Sequence, residues 1–177
     1  VFDQVTGDIS ASKNVSIQIN EYDIQAESFR YDAQTVTITL SQDVKIRFKE
    51  VELSVAKLQY EVVSDSGVAD NVSFQVDDLY VTADKAELKD DTIYFHHILY
   101  SKCSLSDHKH YQFSSDELSY HRLTTLIMSR QNSLYFYGYR LFKYPLFTRY
   151  LSRESDSSIA SIFPSFGKNR SEGHYVK

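Results

Sequence analysis

The feature that most constrains this chain is the alternation of apolar and polar residues in short segments along most of its length. The alternation is clearest in residues 15–19, 35–40, 44–48, 72–76 and 79–83. Because successive side chains of a β-strand point to opposite faces, this period of two predicts strands with one buried face. Polar segments, among them 41–43, 64–67 and 89–91, separate the strands. Short strands with close turns predict an antiparallel all-β fold rather than a doubly wound sheet.

An internal repeat adds detail to this prediction. Each copy has a small residue, then polar positions, then two apolar or aromatic residues separated by one; the small residues are Ala26, Ala56, Ala83 and Ser115. In three copies the alternation slips by one residue, so that Ile24 and Ala26 share a face but Phe29 and Tyr31 continue on the opposite parity. A β-bulge or bend would bring both halves back to one face. The repeat predicts kinked strands that stack into a folded-over sheet with an apolar interior.

Composition and charge exclude several function classes. The 177-residue chain has a net charge of -5, which disfavours nucleic acid as a partner because phosphate-binding domains usually carry a basic excess. Its one cysteine, Cys103, cannot form an internal disulfide. No segment approaches the ~20 consecutive apolar residues of a membrane helix.

Residues with catalytic or metal-binding chemistry are present without the spacing that such chemistry needs. The histidines at 96, 97, 108 and 110 accompany no CxxC or HExxH pattern, and we interpret them as surface residues. The aspartate pairs at 77–78 and 90–91 fall at predicted turns, where Asp forms local hydrogen bonds. The sequence contains no Gly-rich phosphate loop and no GxSxG motif. We predict that the protein is not an enzyme and uses neither a metal nor a cofactor.

Composition changes near residue 134. Residues 134–151 are dense in Tyr and Phe and include Arg140, Lys143 and Arg149. This density fits an aromatic girdle at a membrane interface and equally a hydrophobic closing strand. A polar segment, 152–158, follows. We expect a β-domain over residues 1–150 and a flexible linker and tail over 151–177.

The kinked repeat resembles the OstA-type repeat of the lipopolysaccharide transport proteins, a group that includes the LptA, LptC and LptD families. The segment YRLFKYPLF at 139–147 is similar to the aromatic, proline-containing segment that leads out of the LptD periplasmic domain. IASIFPSFG at 159–167 looks like the stretch at the entry to the LptD barrel. Cys103 precedes the fourth repeat, where LptD proteins often carry a cysteine that bonds to one in the barrel. The resemblance is therefore to the N-terminal periplasmic domain of LptD plus the start of its barrel region.

The resemblance implies a β-jellyroll, open along one edge, at the periplasmic face of the bacterial outer membrane. It would be a non-enzymatic conduit for lipopolysaccharide, with the acyl chains lying between its two sheets. An LptA-like bridge protein would pair with an edge strand, and the chain's own outer-membrane barrel and an LptE-like plug lipoprotein would be further partners. Under this interpretation Cys103 bonds to a barrel cysteine; a free cysteine is the alternative.

Inward-facing apolar residues would line the lipid groove, and the alternation indicates which these are. The expected groove residues are Ile17, Ile38, Ile46, Phe48, Leu53, Phe74, Val76, Val81 and Phe95. Core filling and groove lining share one sequence pattern. Lys45, Arg47 and Lys49 share the opposite strand face and could form a cationic rim for lipid A phosphates; a solvated strand face is the alternative.

Two other functions fit parts of the sequence. A free-standing bridge protein resembling LptA has the same repeat but does not need the segment that resembles a barrel entry. A carbohydrate-active β-helix or jelly roll, from a different class, is allowed by stacked repeats. Such an enzyme needs clustered carboxylates or aromatic platforms, which the sequence does not show.

Overall fold

The protein is an all-β structure, as the alternation predicts. The computed structural model describes residues 2–3, 5–19, 22–48, 51–76, 79–102, 110–150, 166–169 and 173–176, and it contains no helix in these ranges. The strands are β1 (Ile9–Ile19), β2 (Tyr22–Asp32), β3 (Thr37–Phe48), β4 (Val51–Glu61), β5 (Ser66–Val76), β6 (Leu79–Lys89), β7 (Thr92–Ser101), β8 (Tyr111–His121), β9 (Leu126–Phe136), β10 (Tyr139–Tyr150), β11 (Phe166–Asn169) and β12 (Gly173–Val176).

Strands β1 to β10 form one sheet in which spatial order equals sequence order. Every neighbouring pair is antiparallel, so the sheet is a ten-stranded meander with β1 and β10 at its edges. Two of the described turns have two residues: Asp90 and Asp91 both have positive φ, as do Tyr137 and Gly138, which is the geometry that matches the twist of a two-residue hairpin. The pair β11 and β12 forms a separate two-stranded sheet on the far side of the predicted boundary near residue 150.

Each odd-numbered strand from β1 to β9 bends near its middle, where it carries a residue with positive φ. These residues are Asn14, Asp43, Asn71, His97 and Gln131. In β3 both Gln42 and Asp43 have positive φ, and the register against β4 shifts between Ser41 and Val44. The prediction that segment 41–43 separates two strands is therefore wrong: a bulge there bends one continuous strand without reversing it.

The predicted slip in alternation is seen in the burial pattern. Ala26, Ala83 and Ser115 are buried next to the bend, while in β4 the corresponding buried residue is Val55 and the predicted Ala56 is exposed. Beyond the bend, the buried positions continue on the opposite parity, as at Leu118 in β8. The bend thus keeps the apolar residues of both strand halves on one face, which we call the inner face.

The bends line up across the sheet and divide it into two arms. The first arm contains Phe74 and ends at the β5–β6 turn, and the second arm contains Phe95. In the pairing register, Phe95 lies two strands across from Phe74 and five residues along the strand direction. In a flat sheet this offset would separate the two residues by roughly 19 Å. The two ring centroids are instead 6.3 Å apart. The sheet is therefore folded over along the line of bends, with its inner face enclosed between the arms.

Candidate functional site

The candidate site is the inner face of the folded sheet. One apolar row crosses the first arm from edge to edge, each residue paired with the next on the neighbouring strand. The row is Ile17, Ile24, Ile46, Leu53, Phe74, Val81, Tyr100, Phe113, Leu134 and Phe142. The hydrogen-bond register holds these residues side by side. Since all of them are aliphatic or aromatic, no charged or amide side chain interrupts the row.

Two rows cross the second arm in the same way. The row nearer the bends is Ala11, Phe29, Leu40, Leu58, Ala69, Ala86, Phe95, Leu118, Ser129 and Phe147. The outer row includes Ile9, Tyr31, Ile38, Tyr60, Leu88, Ile93, Tyr120 and Ile127. Gly67 also lies in the outer row, and an added Cβ there would come within 3.3 Å of the Tyr60 ring, so this position leaves room for the ring.

The structure places the predicted groove residues on these rows. Five of them, Ile17, Ile46, Leu53, Phe74 and Val81, share the first-arm row, and Ile38 and Phe95 lie on the second arm. The backbones of Phe48 and Val76 continue the same strands, but their side chains lie outside the described part of the chain. The register shows which of the other seven residues are neighbours, and their role as groove lining stays a prediction.

Burial on the inner face falls towards both edges of the sheet. Val81, in the central strand β6, is 1% exposed, whereas Ile9 on β1 and Phe142 on β10 are 41% and 46% exposed. Ile17, Ile46, Leu53 and Phe74 are half-buried although they face inward. The inner face is therefore shielded from solvent most completely around β6 and reaches solvent at each edge of the sheet.

A polar cluster interrupts the inner face on β8 and β9, and sequence reasoning missed it. The Oγ of Ser115 donates a hydrogen bond to Oδ1 of Asn132 at 2.7 Å, and the Ser129 hydroxyl donates to the same oxygen. Nδ2 of Asn132 donates to the carbonyl oxygen of Ser129 at 3.2 Å and to that of Tyr144 at 3.5 Å. Asn132 is 1% exposed, so its amide can be buried only because these partners satisfy it. The sequence signal that could have revealed this cluster was the presence of polar residues at inward-facing positions.

The predicted cationic rim lies on the outer face. Lys45 and Arg47 flank Ile46 in β3 and so point away from the inner face. Nη2 of Arg47 is 2.8 Å from Oε2 of Glu52, and Nζ of Lys45 is 4.0 Å from Oε1 of the same residue. The hydrogen bond from Arg47 lowers the pKa of Glu52 below its ordinary value. This placement fits the solvated strand face, while Lys49 lies outside the described residues.

Charged side chains, which mostly face the opposite charge on the neighbouring strand, lie on the outer face of the second arm, and His96 interrupts their alternation. The row of paired neighbours is Lys57, Asp70, Lys85, His96, Glu117 and Arg130. Nη1 of Arg130 is 3.6 Å from Oε1 of Glu117. Opposite charges on adjacent strands favour this register, and they mark the outer face as the solvated one.

The histidines that the structure describes do not gather into a metal-binding group. Nδ1 of His97 is 3.0 Å from Oδ2 of Asp84, but both side chains are exposed. No group of three or more metal-ligating side chains occurs among the residues that the structure describes. Cys103 and His108 fall outside those residues.

No protein-family model matches the chain, and no curated protein does. In the part of the chain that the structure describes, no helix has the length and apolar character needed to cross a membrane. The inner face therefore remains the candidate functional site.

Proposed function

We propose that the inner face binds the acyl chains of lipopolysaccharide, and that the protein is a non-enzymatic lipid conduit of the LptD type at the periplasmic face of a bacterial outer membrane. The observation that supports this is the apolar row that runs without a break from Ile17 on β1 to Phe142 on β10. Ten strands spaced by ~4.8 Å give this row a length of about 43 Å. An apolar row of that length, open at both edges, is suited to a long lipid that moves along it.

The physical basis is the removal of acyl chains from water. Each CH₂ group that moves from water to an apolar surface contributes ~0.8 kcal/mol, so a chain of ten or more carbons gains several kcal/mol. The sugars of the lipid would stay in solvent beyond the arms. The side chains along the row have no group that could drive movement, so an energised partner upstream would supply the direction.

The edge strands support the proposed partners. Among the described residues, the free side of β1 is paired only at the bridge between Ile9 and Phe2, and the free side of β10 has no partner strand. An unpaired edge is a template for strand addition. A bridge protein of the LptA kind would add its own edge strand there and continue the apolar row. The chain's own barrel and a plug lipoprotein of the LptE kind would receive the lipid. A β-helix fits less well, because its coils stack parallel strands and every pair in this sheet is antiparallel.

Photo-crosslinking from matched neighbours tests the proposal. Ile46 on β3 faces inward, whereas the exposed Gln25 on the neighbouring strand β2 faces outward. A photoreactive phenylalanine at Ile46 is expected to crosslink to added lipopolysaccharide, while the same group at Gln25 is not. Native mass spectrometry of the unmodified protein, titrated with lipopolysaccharide and with phosphatidylcholine, measures whether the complex is selective.

Two results would contradict the proposal. Equal crosslinking from both positions would mean adsorption to the surface rather than binding between the arms. No complex with either lipid would mean that the inner face is a closed core, and the edges would then be the functional surface to test.

A further inference from the structure

The hairpin between β9 and β10 exposes a group of apolar side chains that the groove does not use. We call Phe136, Tyr137, Tyr139 and Leu141 the aromatic tip; their exposed fractions are 48%, 57%, 78% and 58%. All four lie within six consecutive positions around one turn. Isolated apolar residues on a surface need no explanation, but a contiguous group of this kind usually marks a binding surface.

The turn makes the aromatic tip a projection with a defined conformation. Tyr137 and Gly138 have φ values of 47° and 81°, and a side chain at Gly138 would meet nothing within 4 Å. The backbone N–H of Tyr137 donates a hydrogen bond to the carbonyl oxygen of His110 at 2.9 Å. The His110 and Tyr137 rings contact edge to face, with centroids 5.2 Å apart. The tip is therefore held on the end of the first arm, with open space around its turn.

The charge around the aromatic tip is opposite to that of the whole protein. The chain has 24 acidic residues and a net charge of -5, yet residues 126–150 contain four basic residues and no acidic one. Arg140 and Lys143 lie next to the tip, and neither makes an ion pair with any described residue. An anionic surface could approach this hairpin without meeting a like charge from residues 126–150.

We propose that the aromatic tip is a membrane-docking site that inserts into the headgroup region of an anionic lipid bilayer. A projecting turn with Tyr and Phe side chains suits the boundary between water and lipid, where their apolar bodies are buried and the Tyr hydroxyls stay wet. Arg140 and Lys143 would contact the lipid phosphates. The basic residues favour a lipid surface over a second copy of this chain, because two such tips would repel each other. Phe136 and Tyr139 are paired on the same side of the sheet as the apolar row, at its exposed end, but docking of the tip does not depend on the function proposed above.

The absence of tryptophan from the chain allows a direct test. A single Tyr139→Trp substitution makes position 139 the only source of tryptophan fluorescence. With vesicles of phosphatidylcholine and phosphatidylglycerol, its emission is expected to shift to the blue and to be quenched by brominated lipids. Val63→Trp is the matched control: Val63 is 77% exposed, lies at the β4–β5 turn on the second arm, and is expected to keep its emission unchanged.

Sedimentation with the same vesicles measures the role of charge. Arg140→Gln with Lys143→Gln is expected to weaken binding by roughly fivefold for each charge removed, whereas Lys13→Gln with Lys89→Gln leaves it unchanged. Three results would overturn the proposal: no emission shift at position 139, equal shifts at positions 139 and 63, or a concentration-dependent dimer that Tyr139→Ser abolishes while vesicles bind no protein. The last result would assign the tip to a contact between two copies.

Discussion

Phe74 on the first arm and Phe95 on the second meet across the fold, with ring centroids 6.3 Å apart and ring planes inclined by 47°. Their strands are not neighbours, since β6 lies between them. The contact therefore reports on the closure of the two arms rather than on pairing within the sheet.

A double-mutant cycle on this pair is the first prediction. Changing both Phe74 and Phe95 to Ala is expected to destabilise the protein less than the sum of the two single changes. The expected coupling is ~0.5–1.5 kcal/mol, the usual contribution of an aromatic pair beyond its buried area. Urea unfolding of the four proteins measures it. A coupling near zero would mean that the arms do not depend on this contact for closure.

The polar cluster on β8 and β9 leads to the second prediction. Replacing Asn132 by Ala removes the shared acceptor of the Ser115 and Ser129 hydroxyls and leaves them buried without it. The expected loss is ~1–3 kcal/mol in the free energy of unfolding, measured with urea. Gln34→Ala, at an exposed turn position, is the control and should change stability little. A similar loss in both variants would show that the cluster has no special role.

The bend in β5 gives the third prediction. Asn71 has a φ of 52°, a conformation that costs a β-branched residue more free energy than it costs asparagine. Asn71→Val is expected to destabilise the protein by ~1–2 kcal/mol, whereas Asn71→Gly should have little effect. Gln59→Val places the same side chain on an exposed, unbent part of β4 as a control. Thermal unfolding compares the variants, and a stable Asn71→Val protein would argue against a bend imposed by the backbone.

The turns at the end of the second arm give a prediction on pH. Tyr60 donates a hydrogen bond to Oδ1 of Asp65 at 2.7 Å, and Arg122 binds Oδ2 at 2.9 Å. These bonds, that from Tyr60 first, hold the pKa of Asp65 below its ordinary value of 3.8. Because the folded state favours the carboxylate, this contribution to stability is complete above about pH 5 and is lost as pH falls through the lower folded pKa.

Removal of the Tyr60 hydroxyl should weaken that dependence. In Tyr60→Phe, the fall in unfolding free energy between about pH 5 and pH 2 is expected to be smaller than in the unmodified protein. Urea unfolding at a series of pH values measures the slope, and Tyr80→Phe on the outer face is the control. An unchanged slope in Tyr60→Phe would mean that Arg122 alone holds the carboxylate.

The alternation of apolar and polar residues, with its slip by one residue in the repeat, was sufficient to predict the strands, their buried inner face and the folding over of the sheet. A period of two is imposed by strand geometry itself, so Ile46 and Phe74 could be assigned to one face before any pairing was known. The bend at residues 41–43 was mistaken for a turn because the same polar residues suit both, and only the pairing of Ser41 and Val44 with β4 separates the two cases. The predicted copy of the repeat in β4 was shifted by one residue for a related reason. Ala56 has the small side chain that the repeat pattern requires, but Val55 occupies the buried position of the repeat.

Relationships between distant residues could not be predicted. The carboxylates of Asp65 and Asp91 both bind Arg122, although 57 positions separate Asp65 from Arg122 in the chain. Such contacts depend on how the arms twist and on which turns become adjacent, and local periodicity contains no information on either. The Ser115–Asn132 cluster is similar, since serine at an inward position gives no sign of its partner.

The sequential order of the ten strands also bears on how such a molecule could change size. Each strand forms its backbone pairing only with its neighbours in the chain, and each contributes its own residues to the inner face. Duplication or loss of one hairpin would therefore change the length of the space between the arms by two strand widths, without changing the distance between the arms. The number of hairpins sets the length of the space between the arms, and the side chains of each row set which ligands bind there. Length and ligand selectivity are therefore separable properties in this architecture.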